Sequence, residues 1–171
     1  MKKQQPQDSL KVKGMFRIHI GENGKIVGDS GWKKNTITDL GFRQYLVLSL
    51  GSLSGSKYVS HIAVANDQSS NGALAPSVTG LTSELDKRTT VSASSTVAGS
   101  RTIRFTGSFM SSLNTATSSA WIATSNATRT IQSIGLFNTS SGGTMFAGNT
   151  FSSSTIATNQ SLFFTYDIQF A

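Results

Sequence analysis

Ser161-Leu162-Phe163-Phe164-Thr165-Tyr166-Asp167-Ile168-Gln169-Phe170 sets Leu162, Phe164, Tyr166, Ile168 and Phe170 at every second position, against Ser161, Thr165, Asp167 and Gln169. Side chains that alternate with period two belong to a strand with one wet face and one dry face. The same rhythm appears near the other end of the chain, where Val12, Phe16, Ile18 and Ile20 alternate with Lys11, Lys13, Arg17 and His19. Behind that strand, Gly21-Glu22-Asn23-Gly24-Lys25 supplies an Asn-Gly pair that tolerates positive φ. A tight hairpin therefore returns the chain through Ile26 and Val27.

The period changes at Asp39. Phe42, Tyr45, Leu46 and Ser49-Leu50 recur at helical spacing, Thr38 or Asp39 can cap the start, and Gly51 stands where the helix would stop. One short helix is expected over residues 39–50, plugging one end of the sheets. Gly41 inside it costs about 1 kcal/mol relative to alanine, so the helix needs tertiary support. A strand over 58–65 is expected to point Tyr58, Ile62 and Val64 inward, and a polar loop follows over 66–80, with Asn71-Gly72 and Pro76. Further strands are read over 89–97, 102–110, 120–124, 128–137 and 144–151. Many short strands, Ser/Gly/Asn turns, one helix and no βαβ rhythm give an all-β fold: a single antiparallel β-sandwich or jelly-roll-like domain over residues 11–171. Residues 1–10 are expected to form a flexible basic arm.

A chain of 171 residues buries about 70% of its extended surface and can hold a core. It has no cysteine, so neither disulfides nor thiolate metal sites are available. No run approaches the roughly 20 apolar residues of a membrane span. Met1-Lys2-Lys3 leads into Gln4, Gln5 and Pro6 rather than an apolar stretch, so no membrane segment or secretory leader is expected. The net charge of +7 is concentrated early, in Lys2, Lys3, Lys11, Lys13, Arg17, Lys25, Lys33, Lys34, Arg43 and Lys57. Such a third attracts nucleic acid, an anionic membrane or an acidic protein face. Of these, the protein face ranks first: Trp32 beside Lys33-Lys34 is the one cluster suggestive of base stacking, and that ring is read instead as anchoring a strand end against the helix.

Catalysis needs titratable groups that converge, and two histidines and eight carboxylates supply few. His19 stands among lysines on a polar strand face, and His61 opposes Ile62 and Val64. Asn66-Asp67 lacks the alternating ligands of a calcium loop. In Gly51-Ser52-Leu53-Ser54-Gly55-Ser56-Lys57 the lysine does not directly follow its glycine and the helix precedes the loop, against the phosphate-loop pattern. Glu84 and Arg88 read by default as a solvated salt bridge worth under about 1 kcal/mol. No enzyme activity, cofactor or metal is expected.

Five stretches occur in an order that resembles a group of small tailed-bacteriophage virion proteins, described variously as head decoration, tail-collar or tail-fibre proteins. They are Asn35-Thr36-Ile37; His61-Ile62-Ala63-Val64; Leu81 with Glu84 and Arg88; Ile134-Gly135-Leu136-Phe137-Asn138; and Ser141-Gly142-Gly143-Thr144-Met145-Phe146-Ala147. Ala65-Asn66-Asp67 departs from the group's Gly-Thr-Gly. The resemblance implies a β-rich virion component without catalysis, a homo-oligomer with a trimer favoured. A short chain with a basic arm and no shaft fits a capsid decoration (cement) protein better than a long fibre. On that expectation Lys2, Lys3, Lys11, Lys13, Lys33 and Lys34 dock on the major capsid protein or another virion protein, at the outer surface of the head. The alternative is a tail or collar fibre that contacts a host glycan through Tyr58 or Trp121.

Overall fold

A computed structural model describes residues 11–66, 74–85, 87–95, 101–110 and 128–171. The two alternating stretches become neighbours: β1 (Val12–Glu22) runs antiparallel to β10 (Gln160–Phe170), from Val12 opposite Phe170 to Glu22 opposite Gln160. Both strands turn their even-numbered residues inward. Phe16 therefore faces Tyr166, their rings stacked with centroids 5.6 Å apart. Asn23 and Gly24 take φ of +48° and +75°, the paired left-handed conformations of a tight hairpin, and β2 (Lys25–Asp29) returns along β1.

The sheet is antiparallel throughout and nearly closes on itself. Its first half places β7 (Thr102–Phe109) beside β10 and β6 (Ser92–Ser95) beside β7. Its second half is β9 (Met145–Ile156), β8 (Arg129–Phe137), β4 (His61–Ala65) and β5 (Thr89–Thr90), paired in that order. The chain crosses both seams. β3 (Lys33–Ile37) pairs with β1 through Lys33 to Asn35 and with β9 through Thr36 and Ile37. At the other seam the stretch read as one strand over 89–97 divides into β5 and β6, because Val91 donates its N–H to Ser60 and turns the chain from one half to the other.

The two halves press a common core together. Phe16, Ile18, Phe105, Phe109, Leu162 and Phe164 come from the first half, and Ile62, Val64, Ile134, Leu136, Phe146 and Ile156 from the second. Burying each such side chain stabilises the fold by about 1.5–3 kcal/mol before chain entropy is subtracted. With no cysteine to cross-link the chain, this packing carries the stability.

Helix α1 (residues 39–50) has α-helical ends, Asp39–Gly41 and Leu48–Leu50, around a π-helical middle, Phe42–Val47. Thr38 caps it as expected: its hydroxyl oxygen accepts from the Gly41 N–H at 2.8 Å while donating to the Met145 carbonyl at 2.7 Å. Gly41 is more than a tolerated flaw. A Cβ there would lie 2.0 Å from the Phe146 carbonyl oxygen, so only glycine lets the helix start pack on β9. One turn later Tyr45 packs against Phe146, with centroids 5.0 Å apart.

Two expectations change. Tyr58 lies before β4 and is 77% exposed, because the strand begins only at His61. The stretch that follows β4 is also more than a polar loop, since Leu74, Val78 and Leu81 lie on the outer face of the second half against Ala63, Phe137 and Met145. The strand read over 120–124 lies outside the described residues.

Candidate docking surface

Pairing between β1 and β3 gathers the N-terminal lysines. Lys34 stands opposite Met15 and Lys33 opposite Phe16. Lys13 and Met15 share the outward, odd-numbered face of β1, so Lys13 and Lys34 are diagonal neighbours across two strands. Lys11 continues the row at the strand's start, where it exchanges backbone hydrogen bonds with Ala171. All four lysines are exposed, and none has an acidic partner among the described residues. Lys2, Lys3 and Trp121 lie outside the described residues.

The arginines of the same outer face behave differently. Arg17 reaches Asp29 on β2 with a two-pronged contact, Nε to Oδ1 at 3.0 Å and Nη2 to Oδ2. The guanidinium, helped by the Gly31 N–H, holds the Asp29 carboxyl well below the usual carboxylate range, and Asp29 raises Arg17 in return. Arg104 on β7 grips Asp167 on β10 through two bonds of 2.7 Å, which likewise raises its pKa. The Trp32 ring is held near this second fork, its centroid 5.9 Å from the guanidinium carbon of Arg104. Each of these two arginines is thus neutralised within its own sheet, whereas the four lysines have no such partner among the described residues.

Two further carboxylates are committed as well. Glu22 accepts from Asn159 at 2.7 Å and from Gln160 at 2.9 Å, locking the first hairpin to the start of β10. Glu84 holds Arg88. Among the described residues no three His, Asp or Glu side chains converge to hold a metal ion. His61 Nδ1 lies 2.8 Å from the Ser60 hydroxyl, which also bonds the Asn138 carbonyl. Burial, and then the nearby Arg88 charge, push the His61 pKa below its usual value.

Arg88 is more than the solvated salt-bridge partner that its sequence context suggests. Its side chain is only 6% exposed. It makes bonds of 2.9 and 2.8 Å to the two Glu84 oxygens and donates to the carbonyls of Thr139 and Gly142 at 3.1 and 2.6 Å. Its guanidinium also lies 3.5 Å from the centroid of the Phe137 ring. The fourfold spacing of Glu84 and Arg88 was the available signal. Nothing local indicated that a loop 51 residues away would complete the site.

The five stretches that carry the phage resemblance adjoin one another. β3 pairs with β9, β9 with β8 and β8 with β4, while Arg88 ties the Leu81 segment to the loop after β8. They build the second half of the sheet, its cover and the seam, and the lysine row belongs to none of them. Tyr58, the alternative contact residue, stands free at the opening of an apolar groove beside α1. No family model, curated protein or solved structure matches the chain.

Proposed function

We propose that this chain is a structural protein of a tailed-phage particle, a decoration protein that binds the head shell and performs no catalysis. One observation carries the docking scheme. Lys13 and Lys34 share the outward face at the β1–β3 pairing, Lys11 and Lys33 stand exposed at the starts of those strands, and none of the four has a carboxylate partner among the described residues, beside arginines that each have one. A field of unpaired positive charge attracts an acidic protein surface from a distance, and its pull weakens with salt. Copies repeated over a symmetric shell raise effective concentration, so modest contacts suffice. A homo-oligomer, with a trimer favoured by the resemblance, presents several such faces at once.

The test is charge reversal. Lys11→Glu, Lys13→Glu, Lys33→Glu and Lys34→Glu in one chain, with Lys2→Glu and Lys3→Glu added in a second, should abolish binding to purified undecorated shells. Binding by the parent protein should fall steeply with ionic strength. Unchanged occupancy of the shells by the reversed protein refutes the scheme.

The exposure of Tyr58 favours a second reading, a tail or collar fibre that stacks an aromatic side chain on a host glycan. Binding of purified protein to host cells, lost in Tyr58→Ala or Trp121→Ala and kept in the lysine reversals, would select it.

A further inference from the structure

Ser30, Gly31 and Trp32 link β2 to β3, and the first two are tied down. The Ser30 N–H donates to the Ile18 carbonyl at 3.0 Å, and the Ser30 hydroxyl oxygen accepts from the Ile18 N–H at 2.9 Å while donating to the Gly31 carbonyl at 2.8 Å. The Gly31 N–H donates to Asp29 Oδ1 at 2.9 Å, and Gly31 turns the chain through a φ of +61°. Trp32 comes next, 42% exposed, with all of β3 between it and helix α1. The ring therefore serves the outer face of the sheet and not the helix that sequence reasoning assigned to it. β1 and β10 lie between β3 and β7, yet the ring centroid is 5.9 Å from the guanidinium carbon of Arg104 on β7, so the indole reaches across those two strands.

A large ring kept in water on a fixed backbone suits the centre of an interface. The side chains that carry most binding energy are enriched in tryptophan and sit within a rim of polar contacts, and a group already held in place loses little freedom when a partner covers it. Charge names the partner. Lys33 and Lys34 follow Trp32 in the chain, Lys13 is the diagonal neighbour of Lys34, and Lys11 and Arg101 extend the positive field to the end of β10. None of these five cations has a carboxylate partner among the described residues. The two carboxylates of the face, Asp29 and Asp167, are taken by Arg17 and Arg104. Arginines so occupied are not free to take a phosphate in the two-pronged way, and the two aspartates repel a phosphate chain. The face therefore fits an acidic protein surface better than a nucleic acid.

We propose that Trp32 is the anchor of the shell contact, entering an apolar slot on the shell protein that is rimmed by carboxylates facing Lys13 and Lys34. This deepens the docking scheme above and rests on it. The lysines set how fast the protein arrives, through a field that salt screens, and the indole sets how long it stays, through burial that salt does not screen.

The experiment measures association and dissociation rates of the full chain on immobilised, purified undecorated shells at several salt concentrations, with circular dichroism verifying the β fold of each variant. Trp32→Ala should associate at the parent rate and dissociate about tenfold faster or more at every salt concentration. Trp32→Phe, which keeps a ring on the outer face should the alanine variant fail to fold, should still dissociate several-fold faster. The lysine reversals should lose association instead. Parent-like dissociation of either Trp32 variant, with association lost in the lysine reversals, overturns the anchor and leaves the docking scheme standing. Lysine reversals that associate at the parent rate overturn the scheme and the anchor together. A parent protein that binds a single-stranded oligonucleotide, and loses it in Trp32→Ala, overturns the acidic protein as partner.

Discussion

The two halves of the sheet share one core but differ on their outer faces. Across β1, β10 and β7 the outer face is wet, carrying Lys13, Arg17, Asp167 and Arg104, and most of their residues alternate. Across β4, β8 and β9 the outer face is dry, because Leu74, Val78 and Leu81 cover it and Arg88 fastens the cover to the loop after β8. A strand buried on both sides loses its period and reads as a continuous apolar run, which is why Ile62-Ala63-Val64-Ala65 is buried at every position. Small residues make the second layer possible. A Cβ on Gly135 would sit 2.8 Å from the Met145 sulfur and 3.4 Å from a methyl of Leu81, so the cover packs close only over glycine and alanine. One outer face is thereby left in solvent, and the other is spent on holding the fold.

Matched substitutions on the two outer faces should break this contrast if it is wrong. Phe137→Ala removes a fully buried ring from beneath the cover and should cost about 3–5 kcal/mol in chemical denaturation. Phe163→Ala, on the wet face and 41% exposed, should cost under about 1 kcal/mol. Similar losses from the two would mean that the faces are energetically alike.

Removing the fastener should have the next largest effect. Arg88→Ala leaves the Glu84 carboxylate and the carbonyls of Thr139 and Gly142 without their donor, at a cost of about 2–4 kcal/mol. Arg17→Ala breaks a two-pronged contact of similar geometry in open solvent and should shift the unfolding midpoint far less, with that small shift fading further in high salt. Hydrogen exchange read at β4 and β8 should rise in the Arg88 variant ahead of β1 and β10.

The smallest expected effect is a pH dependence in the mildly acidic range, arising in the dry half. The folded protein holds the His61 pKa below its unfolded value of about 6.5, chiefly by burial and then by the Arg88 charge. Between those two values the unfolded chain binds more protons, so stability rises with pH and is lost as pH falls from about 6.5 through the folded value. His61→Gln should flatten that slope in thermal unfolding followed across the mildly acidic range. A slope that survives the substitution would assign it elsewhere.

Legibility in the sequence follows the same division. Alternation at residues 11–20 and 161–170, the Asn23-Gly24 turn, the Thr38 cap and the helix over 39–50 were all readable, because each rests on contacts within a few residues. Tyr58 reads as part of the strand because an aromatic four residues before the buried run at Ile62 looks the same whether the strand has started or not. The division of 89–97 into β5 and β6 was hidden because it depends on one long-range backbone bond from Val91 to Ser60. Of the candidate docking surface, the lysines were visible as a charge run. Their gathering, and the pairing of Arg17 and Arg104 that sets them apart, were not.

By itself, then, the order of residues determined that the chain is antiparallel β with one short capped helix and a basic beginning, since side-chain period, turn chemistry and charge are local properties. Only the tertiary structure decided which face is covered, which cations are already neutralised and where apolar surface is left over. Each of those depends on residues far apart in sequence meeting across a seam, and no local pattern records such meetings.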